Sequence, residues 1–133
     1  MFFIASLFKM NTKIKTLEKA FRGCSNLLYI PQGLFKYNTN ILSFKQTFTG
    51  CEKLKSIPVG LFDNNTKVTS FYYTFSSCEN ISDMPAGLFD KCTEVTTFRG
   101  VFSNTGITEI PEGLFNKCTN VTNFESAFCW KES

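Results

Sequence analysis

The sequence predicts an α/β solenoid, a right-handed stack of about five units of 26–27 residues with short parallel β-ladders and short helical turns. The first observation is a Gly-Leu-Phe triplet that begins at Gly33, Gly60, Gly87 and Gly113, at steps of 27, 27 and 26 residues. The second is the use of 16 phenylalanines in 133 residues, nearly all at fixed repeat positions. The third is that all four prolines fall at one repeat position.

The chain has the length of a single domain, residues 1–133, and the repeat divides it into successive units. These are a partial unit, 1–26, and the units 27–53, 54–80, 81–106 and 107–133. Leu7 and Phe8 precede Leu34 and Phe35 by 27 residues, so the apolar N-terminal stretch is interpreted as repeat sequence and not as a signal peptide. Neither end shows a polar capping unit of the kind that repeat proteins use.

Each unit is expected to begin with a short strand, Leu-x-x-Ile-Pro, which the proline ends because it has no N–H to donate. Gly-Leu-Phe forms a turn, and an Asn-Thr corner follows, whose stacked side chains are expected to form a hydrogen-bonded row. A second short extended edge and a turn of helix complete the unit. Seven side chains of the unit 54–80 are predicted to point inward: Leu54, Ile57, Leu61, Phe62, Val68, Phe71 and Phe75.

One residue is missing where the third complete unit meets the fourth. Residues 75–81 correspond to residues 102–107, and the cysteine of this segment is lost. Gly106 is expected to take up the tighter turn, because glycine adopts backbone conformations that other residues resist. The interpretation is a tolerated corner deletion, with a bend in the stack as the alternative.

Composition argues against several functional classes. The net charge is +3, from 14 basic and 11 acidic residues, and their scatter is not the clustered basic surface of a nucleic-acid-binding protein. No apolar run is long enough to span a membrane. The chain has no histidine, which excludes Cys-His catalytic pairs and mixed Cys-His zinc sites. With no phosphate-binding loop or nucleophile motif, we expect no enzyme activity, no cofactor and no metal.

Five of the six cysteines share repeat positions. One position holds three of them and the corner position holds two: Cys24, Cys51 and Cys78, and Cys92 and Cys118. Columns of buried free thiols, acting as small apolar side chains, are the favoured interpretation. Disulfides between Cys24 and Cys51 or between Cys92 and Cys118 stay open if the protein is exported. Cys129 lies outside both columns and is predicted to be the most reactive thiol.

Two sets of variable positions are candidate ligand-binding surfaces, since recognition in a solenoid uses the exposed residues between the inward ones. The first, the Tyr29 face, comprises Leu28, Tyr29, Lys55, Ser56, Ser82, Asp83, Thr108 and Glu109. The second, the Tyr72 face, comprises Lys45, Tyr72, Tyr73, Arg99 and Glu125. Exposed tyrosine and arginine are residue types that anchor interfaces. The alternative is that both sets are ordinary solvent-facing side chains.

Residues 21–31 and 48–58 share a Phe-x-x-Cys-x-x-Leu-x-x-Ile frame, which resembles the BspA-type leucine-rich repeats of bacterial surface proteins. The Val68–Phe71 segment, Val-Thr-Ser-Phe, is similar to related surface-protein repeats. The resemblance implies a leucine-rich-repeat stack that lies outside the cell and adheres to host proteins or other cells. Leucine-rich repeats also accept Asn or Cys at a comparable buried corner.

The predicted function is a non-enzymatic protein- or glycan-binding repeat module, adhesin-like or a fragment of an adhesin-like surface protein. The alternative is a phage-encoded or intracellular interaction or inhibitor protein that uses the same face. The resemblance implies a cell-surface or extracellular location, while the lack of a visible signal peptide or anchor leaves a cytoplasmic one open. The uncapped ends also suggest end-to-end self-association.

Overall fold

The computed structural model describes residues 2–130, with side chains from residue 4 onward. In this range it contains one helix, α1 (Phe2–Met10), and no β-sheet. The predicted α/β solenoid with parallel β-ladders and helical turns is therefore wrong. Successive repeats, which we call coils, still lie one over another, but isolated parallel bridges join them at one residue per coil. The bridges pair Thr16 with Ser43, Ser43 with Ser70, Ser70 with Thr97, and Thr97 with Asn123.

The segment that follows the bridge residue in each coil, the turn segment, makes most of the backbone hydrogen bonds between coils. Alternate N–H groups donate to the next coil: Phe44 to the carbonyl of Ser70 at 3.1 Å, and Gln46 to that of Tyr72 at 2.8 Å. Intervening residues donate within their own coil, as Thr47 does to Phe44 at 3.1 Å. The backbone of the turn segment thus bonds both within its own coil and to neighbouring coils, without a strand.

Left-handed residues explain why no strand forms. One repeat position of the turn segment has φ values between 51° and 63° in every coil: Lys19, Gln46, Tyr73, Gly100 and Ser126. A second left-handed position follows four residues later: Gly23, Gly50, Ser77 and Asn104. A strand requires consecutive extended residues, so this recurrent reversal limits pairing to the single bridge.

The Leu-x-x-Ile-Pro segments, predicted to form the first ladder, do not pair as strands either. In the described chain, one backbone hydrogen bond joins these segments of the second and third coils, from the Lys55 N–H to the Leu28 carbonyl at 3.0 Å. The apolar residues of this segment are buried nonetheless, since Leu54 and Ile57 are 0% and 5% exposed. Burial without pairing indicates that side-chain packing positions this segment.

The core consists of the predicted inward side chains. All seven of the unit 54–80 are buried, which confirms that prediction. Phenylalanine rings stack in register along the coils, with Phe71 centred 5.7 Å from Phe44 and 5.6 Å from Phe98. Each coil therefore covers the apolar side chains of the one before it, and a single coil would leave them in water.

The corner forms the predicted hydrogen-bonded row. The Asn65 amide nitrogen donates to the carbonyls of Phe35 at 3.2 Å and Asn38 at 2.9 Å, both in the preceding coil. One coil later the Cys92 thiol takes the same place, 3.6 Å from the Phe62 carbonyl and 3.7 Å from that of Asn65. A thiol is a weaker donor than an amide, but it points at the same pair of buried carbonyls.

The helix α1 replaces the first half of the first coil. Phe8 lies in the predicted register, because its ring stacks on Phe35 at 5.9 Å. Leu7 does not, since it is 56% exposed whereas its counterpart Leu34 is 4% exposed. A helix of nine residues is too short to be stable alone, so its packing through Ile4 and Phe8 onto the core stabilises it. No helix within residues 2–130 is long and apolar enough to cross a membrane.

The one-residue deletion is accommodated beside Gly106, as predicted, but through a close approach and not through an unusual conformation, since Gly106 is not among the glycines with positive φ. Gly106 donates its N–H to the Ile81 carbonyl at 2.8 Å, and a Cβ there would approach that oxygen to 3.0 Å. The Thr105 hydroxyl donates to the Phe102 carbonyl at 2.9 Å, a polar bond within the same coil. Phe102 and Phe128 still stack at 5.6 Å, so the stack continues across the deletion.

The hydrogen bonds of the corner row lead to a first prediction about stability. Asn65→Ala leaves two buried carbonyls without their side-chain donor, and we expect it to lower the free energy of unfolding by about 2–4 kcal/mol. Asn65→Cys restores a donor that the next two coils already use, and we expect roughly half that loss. Urea unfolding of both variants measures the difference. An equal loss for alanine and cysteine would contradict the role assigned to the thiol.

Candidate functional site

The Tyr72 face lies on the turn segments of adjacent coils, at positions fixed by the bridge residues. The Ser70 hydroxyl accepts the N–H of Tyr72 at 3.2 Å, and the Thr97 hydroxyl accepts that of Arg99 at 3.1 Å. Such side-chain-to-backbone bonds stabilise a turn two residues on. The same bond recurs in the last coil, from the N–H of Glu125. The backbone of the face is therefore held at each coil by a local bond.

Tyr72 is at the centre of the face. The Lys45 ammonium lies 5.2 Å from the centroid of its ring, and the Arg99 guanidinium carbon lies 6.0 Å from it. These two cations come from the coils on either side, so both are placed to interact with the ring. Tyr73 meets Tyr72 edge-on, with centroids 4.6 Å apart. The structure thus brings together four of the predicted residues.

Arg99 joins the fifth residue to the cluster. Its Nη2 lies 3.5 Å from Oε1 of Glu125, in a pair whose side chains are 38% and 64% exposed. The pKa of Arg99 is raised, first by the Glu125 carboxylate and then by a hydrogen bond with Tyr73. Its Nε is enclosed and has no hydrogen-bond partner among the described residues. An exposed ion pair of this kind adds little to the free energy of unfolding. Stabilisation of the fold therefore does not explain why these charged side chains lie together.

Gly100 belongs to this site, although the sequence analysis did not select it. Tyr73 has φ 51°, and its ring lies where a Cβ on Gly100 would have to be. The glycine therefore makes room for the tyrosine of the preceding coil. The sequence did contain one indication of this role. At this repeat position the other coils have a residue with a side chain, and only the fourth coil has a glycine: Lys19, Gln46, Tyr73, Gly100 and Ser126.

The Tyr29 face is exposed but dispersed. All eight of its side chains are exposed, Leu28 by 43% and Tyr29 by 56%. The Lys55 ammonium lies 5.7 Å from the Tyr29 ring centroid, and an open cavity of about 400 Å³ lies beside this ring. The Lys55 N–H also donates to the Leu28 carbonyl at 3.0 Å. Within the described residues no side-chain hydrogen bond or ion pair joins the other five members to Tyr29 or Lys55: Ser56, Ser82, Asp83, Thr108 and Glu109.

The cysteines are free thiols in the structure. Two are exposed, Cys24 and Cys129, and four are buried. Burial raises the pKa of Cys51 and Cys92 to about 12 and that of Cys118 to about 11, and it also raises the pKa of Cys78. A buried thiol that stays protonated is not an activated nucleophile. No three Cys, Asp or Glu side chains in the described part of the chain converge as metal ligands would.

No protein-family model matches the chain, and no curated protein matches it. The resemblance to BspA-type repeats stays a prediction. The expectations of a leucine-rich-repeat solenoid and of adhesion are corrected, because the described chain has no stranded repeat and no relative supports an adhesive role.

The contact of Tyr73 with Gly100 makes the second prediction. Gly100→Ala adds a clash with the ring to the strain of a left-handed alanine, and we expect a loss of about 2–4 kcal/mol in unfolding free energy. In a Tyr73→Ala background the same change should cost about 1–2 kcal/mol, the backbone strain alone. The control is Gly33→Ala, where φ is 72° and no atom lies within 4 Å of the added carbon. A double variant as costly as the sum of the single changes would contradict the contact.

The thiols make the third prediction. Near neutral pH, a chromogenic disulfide reagent should label the two exposed thiols of the native protein rapidly, Cys24 and Cys129. The four buried thiols should react only after unfolding, because a thiol pKa of about 11 or above leaves almost no thiolate at that pH. Rapid labelling that persists in a Cys24→Ser, Cys129→Ser variant would show that the columns open in the native state.

Proposed function

We propose that the chain is a non-enzymatic protein-binding module whose contact surface is the Tyr72 face. The observation that carries the proposal is the contiguous cluster of Lys45, Tyr72, Tyr73, Arg99 and Glu125 on the surface of adjacent coils. Tyrosine and arginine are enriched among the residues that dominate binding energy at protein interfaces. Lys45, Tyr72, Tyr73 and Arg99 are partly exposed and Glu125 is exposed, so parts of all five side chains are accessible to a partner.

The rigidity of the support favours binding at this face. The turn segment that carries Tyr72 and Tyr73 hydrogen-bonds to the coils on both sides, through the carbonyl of Tyr72 at 2.8 Å and the N–H of Tyr73 at 2.8 Å. The adjoining side chains Phe71 and Phe75 are fully buried. Side chains that are already ordered lose less conformational entropy on binding, which improves affinity without new contacts.

A protein partner suits the face better than a glycan. Sugar rings are recognised by an open aromatic face, whereas cations from the two neighbouring coils already lie over the Tyr72 ring. Arg99 and Glu125 present charge of both signs, 38% and 64% exposed, which matches the polar rim of a protein interface. The proposal applies equally to a surface-exposed protein and to an interaction or inhibitor protein inside a cell, because the same side chains would make the contact.

Affinity capture tests the proposal. The wild-type chain and a Tyr72→Ala, Arg99→Ala variant are immobilised and exposed to an extract of the organism that encodes the chain. We expect a partner that the wild type retains and the variant loses, with an affinity lower by about 30-fold or more.

A Tyr29→Ala, Lys55→Ala variant is the matched control, because it removes a tyrosine and a cation in contact, 5.7 Å apart, elsewhere on the stack. It should retain the partner. Equal retention by all three proteins would overturn the assignment to the Tyr72 face, and loss by the control alone would move it to the Tyr29 face. Unchanged melting temperatures establish that both variants are folded.

A further inference from the structure

Charge is distributed unevenly along the stack, although the sequence analysis interpreted it as scattered. Residues 1–53 carry eight basic and two acidic side chains, whereas residues 81–133 carry four basic and seven acidic ones. Because the coils stack in chain order, this difference becomes a spatial polarity. The first coil is basic, with Lys9, Lys13, Lys15 and Lys19 all exposed, and the last coil exposes Glu109, Glu112 and Glu125.

Both ends of the stack also expose apolar side chains. In the last coil Ile110, Phe124 and Trp130 are 49%, 46% and 50% exposed. The counterparts of the first two in the preceding coil, Met84 and Phe98, are 8% and 0% exposed, because the last coil covers them. At the other end, Leu7 and Met10 of α1 are 56% and 83% exposed. Each end therefore presents an apolar surface bordered by charge, and the sign of the charge differs.

The backbone at the two ends is complementary as well. In the last coil, three backbone N–H groups have no acceptor among the described residues: those of Phe124, Ser126 and Phe128. The corresponding N–H groups of the preceding coil each donate to a carbonyl of the last coil. In the first coil, three backbone carbonyls accept no hydrogen bond from the described chain: those of Thr16, Glu18 and Ala20. The corresponding carbonyls of the second coil each accept one from an N–H group of the first coil. In the turn segment, the last coil therefore offers donors and the first coil offers acceptors.

We propose that copies of this chain associate head to tail. The tail surface, Ile110, Phe124 and Trp130 with Glu109 and Glu112, packs on the head surface of a second copy, Leu7 and Met10 with Lys9 and Lys13. A symmetric tail-to-tail pair would place acid against acid and, in the turn segment, donor against donor, so the polarity favours the heterologous contact. Such a contact uses two different surfaces and does not close on itself, which leads from dimers to longer chains. It leaves Lys45, Tyr72, Tyr73 and Arg99 of the Tyr72 face free, whereas Glu125 lies beside Phe124 at the edge of the tail surface. The proposal does not rest on the proposed function.

Sedimentation of the 133-residue chain from low to high micromolar concentration tests the association. We expect the average mass to rise above the 15.1 kDa of the monomer and to pass twice that value without a plateau. High salt should lower it, because charges at exposed ends are screened beyond about 8–10 Å. A chain that stays monomeric throughout the range at low salt would overturn the proposal.

Paired variants identify which surfaces meet. A tail variant, Phe124→Ser with Glu112→Lys, and a head variant, Met10→Ser with Lys13→Glu, should each associate about tenfold or more weakly than the wild type. Mixed together they should form a one-to-one dimer through the two intact surfaces. A head variant that dimerises alone, with no gain on mixing, would replace the head-to-tail contact with a tail-to-tail one.

Two further proteins keep the result interpretable. Phe124 stacks on Phe98 at 5.8 Å, so a second tail variant, Trp130→Ser with Glu112→Lys, repeats the experiment without altering that stack. Val59→Ser with Glu79→Lys makes the same chemical changes on the middle coils, where Val59 is 68% exposed. It should associate as the wild type does. Weakening by this control as great as that of the tail variants would show a general effect of charge and overturn the assignment to the ends.

Discussion

In-register stacking of phenylalanine rings is the interaction on which the rest of the structure depends. One ring of each coil stacks on the next, in the order Phe44, Phe71, Phe98 and Phe124. The centroids of successive rings are 5.6–5.8 Å apart, and their planes lie within 12° of each other. Rings from the Gly-Leu-Phe positions fit between them, as Phe62 does against Phe71 at 4.7 Å. This interlocked arrangement requires the same chain length between successive rings, so a change in length must be absorbed at a corner. The loss of one residue before Gly106 is absorbed in that way.

The core was predictable from the sequence because it depends on spacing alone. Phenylalanine that recurs every 26–27 residues has one arrangement in which each side chain covers the next, and the buried positions followed from it. The backbone between them was not predictable. A strand was expected where β-branched residues precede proline, but side-chain packing positions that segment with little backbone pairing. Left-handed residues occur in a different segment, the turn segment, where they limit pairing to a single bridge. Gln46 and Tyr73 give no sign of a positive φ, since neither is a glycine or an asparagine. The helix α1 was likewise hidden, because its Phe8 obeys the repeat spacing while its backbone does not.

In the candidate site too, the sequence predicted which side chains lie near one another but not the backbone geometry that determines their contacts. Lys45, Tyr72, Arg99 and Glu125 were selected as variable positions on neighbouring coils, and their proximity follows from the repeat. Their mutual contacts depend on the turn geometry, which places a cation on each side of Tyr72. The part played by Gly100 could not be inferred, because it arises from the direction of the Tyr73 ring across a coil boundary.

Three buried side-chain donors of the second coil reach back to the first. The Asn38 amide, the Thr47 hydroxyl and the Cys51 thiol each donate to a carbonyl 30 residues earlier, in the preceding coil. The second coil therefore supplies side-chain donors to carbonyls of the first. Removal of the first coil would leave all three of these side-chain donors without their acceptors. Removal of C-terminal coils would not affect these three bonds. The backbone N–H groups of the turn segment run the other way, to the next coil, so loss of the last coil would leave the N–H groups of the coil before it without acceptors.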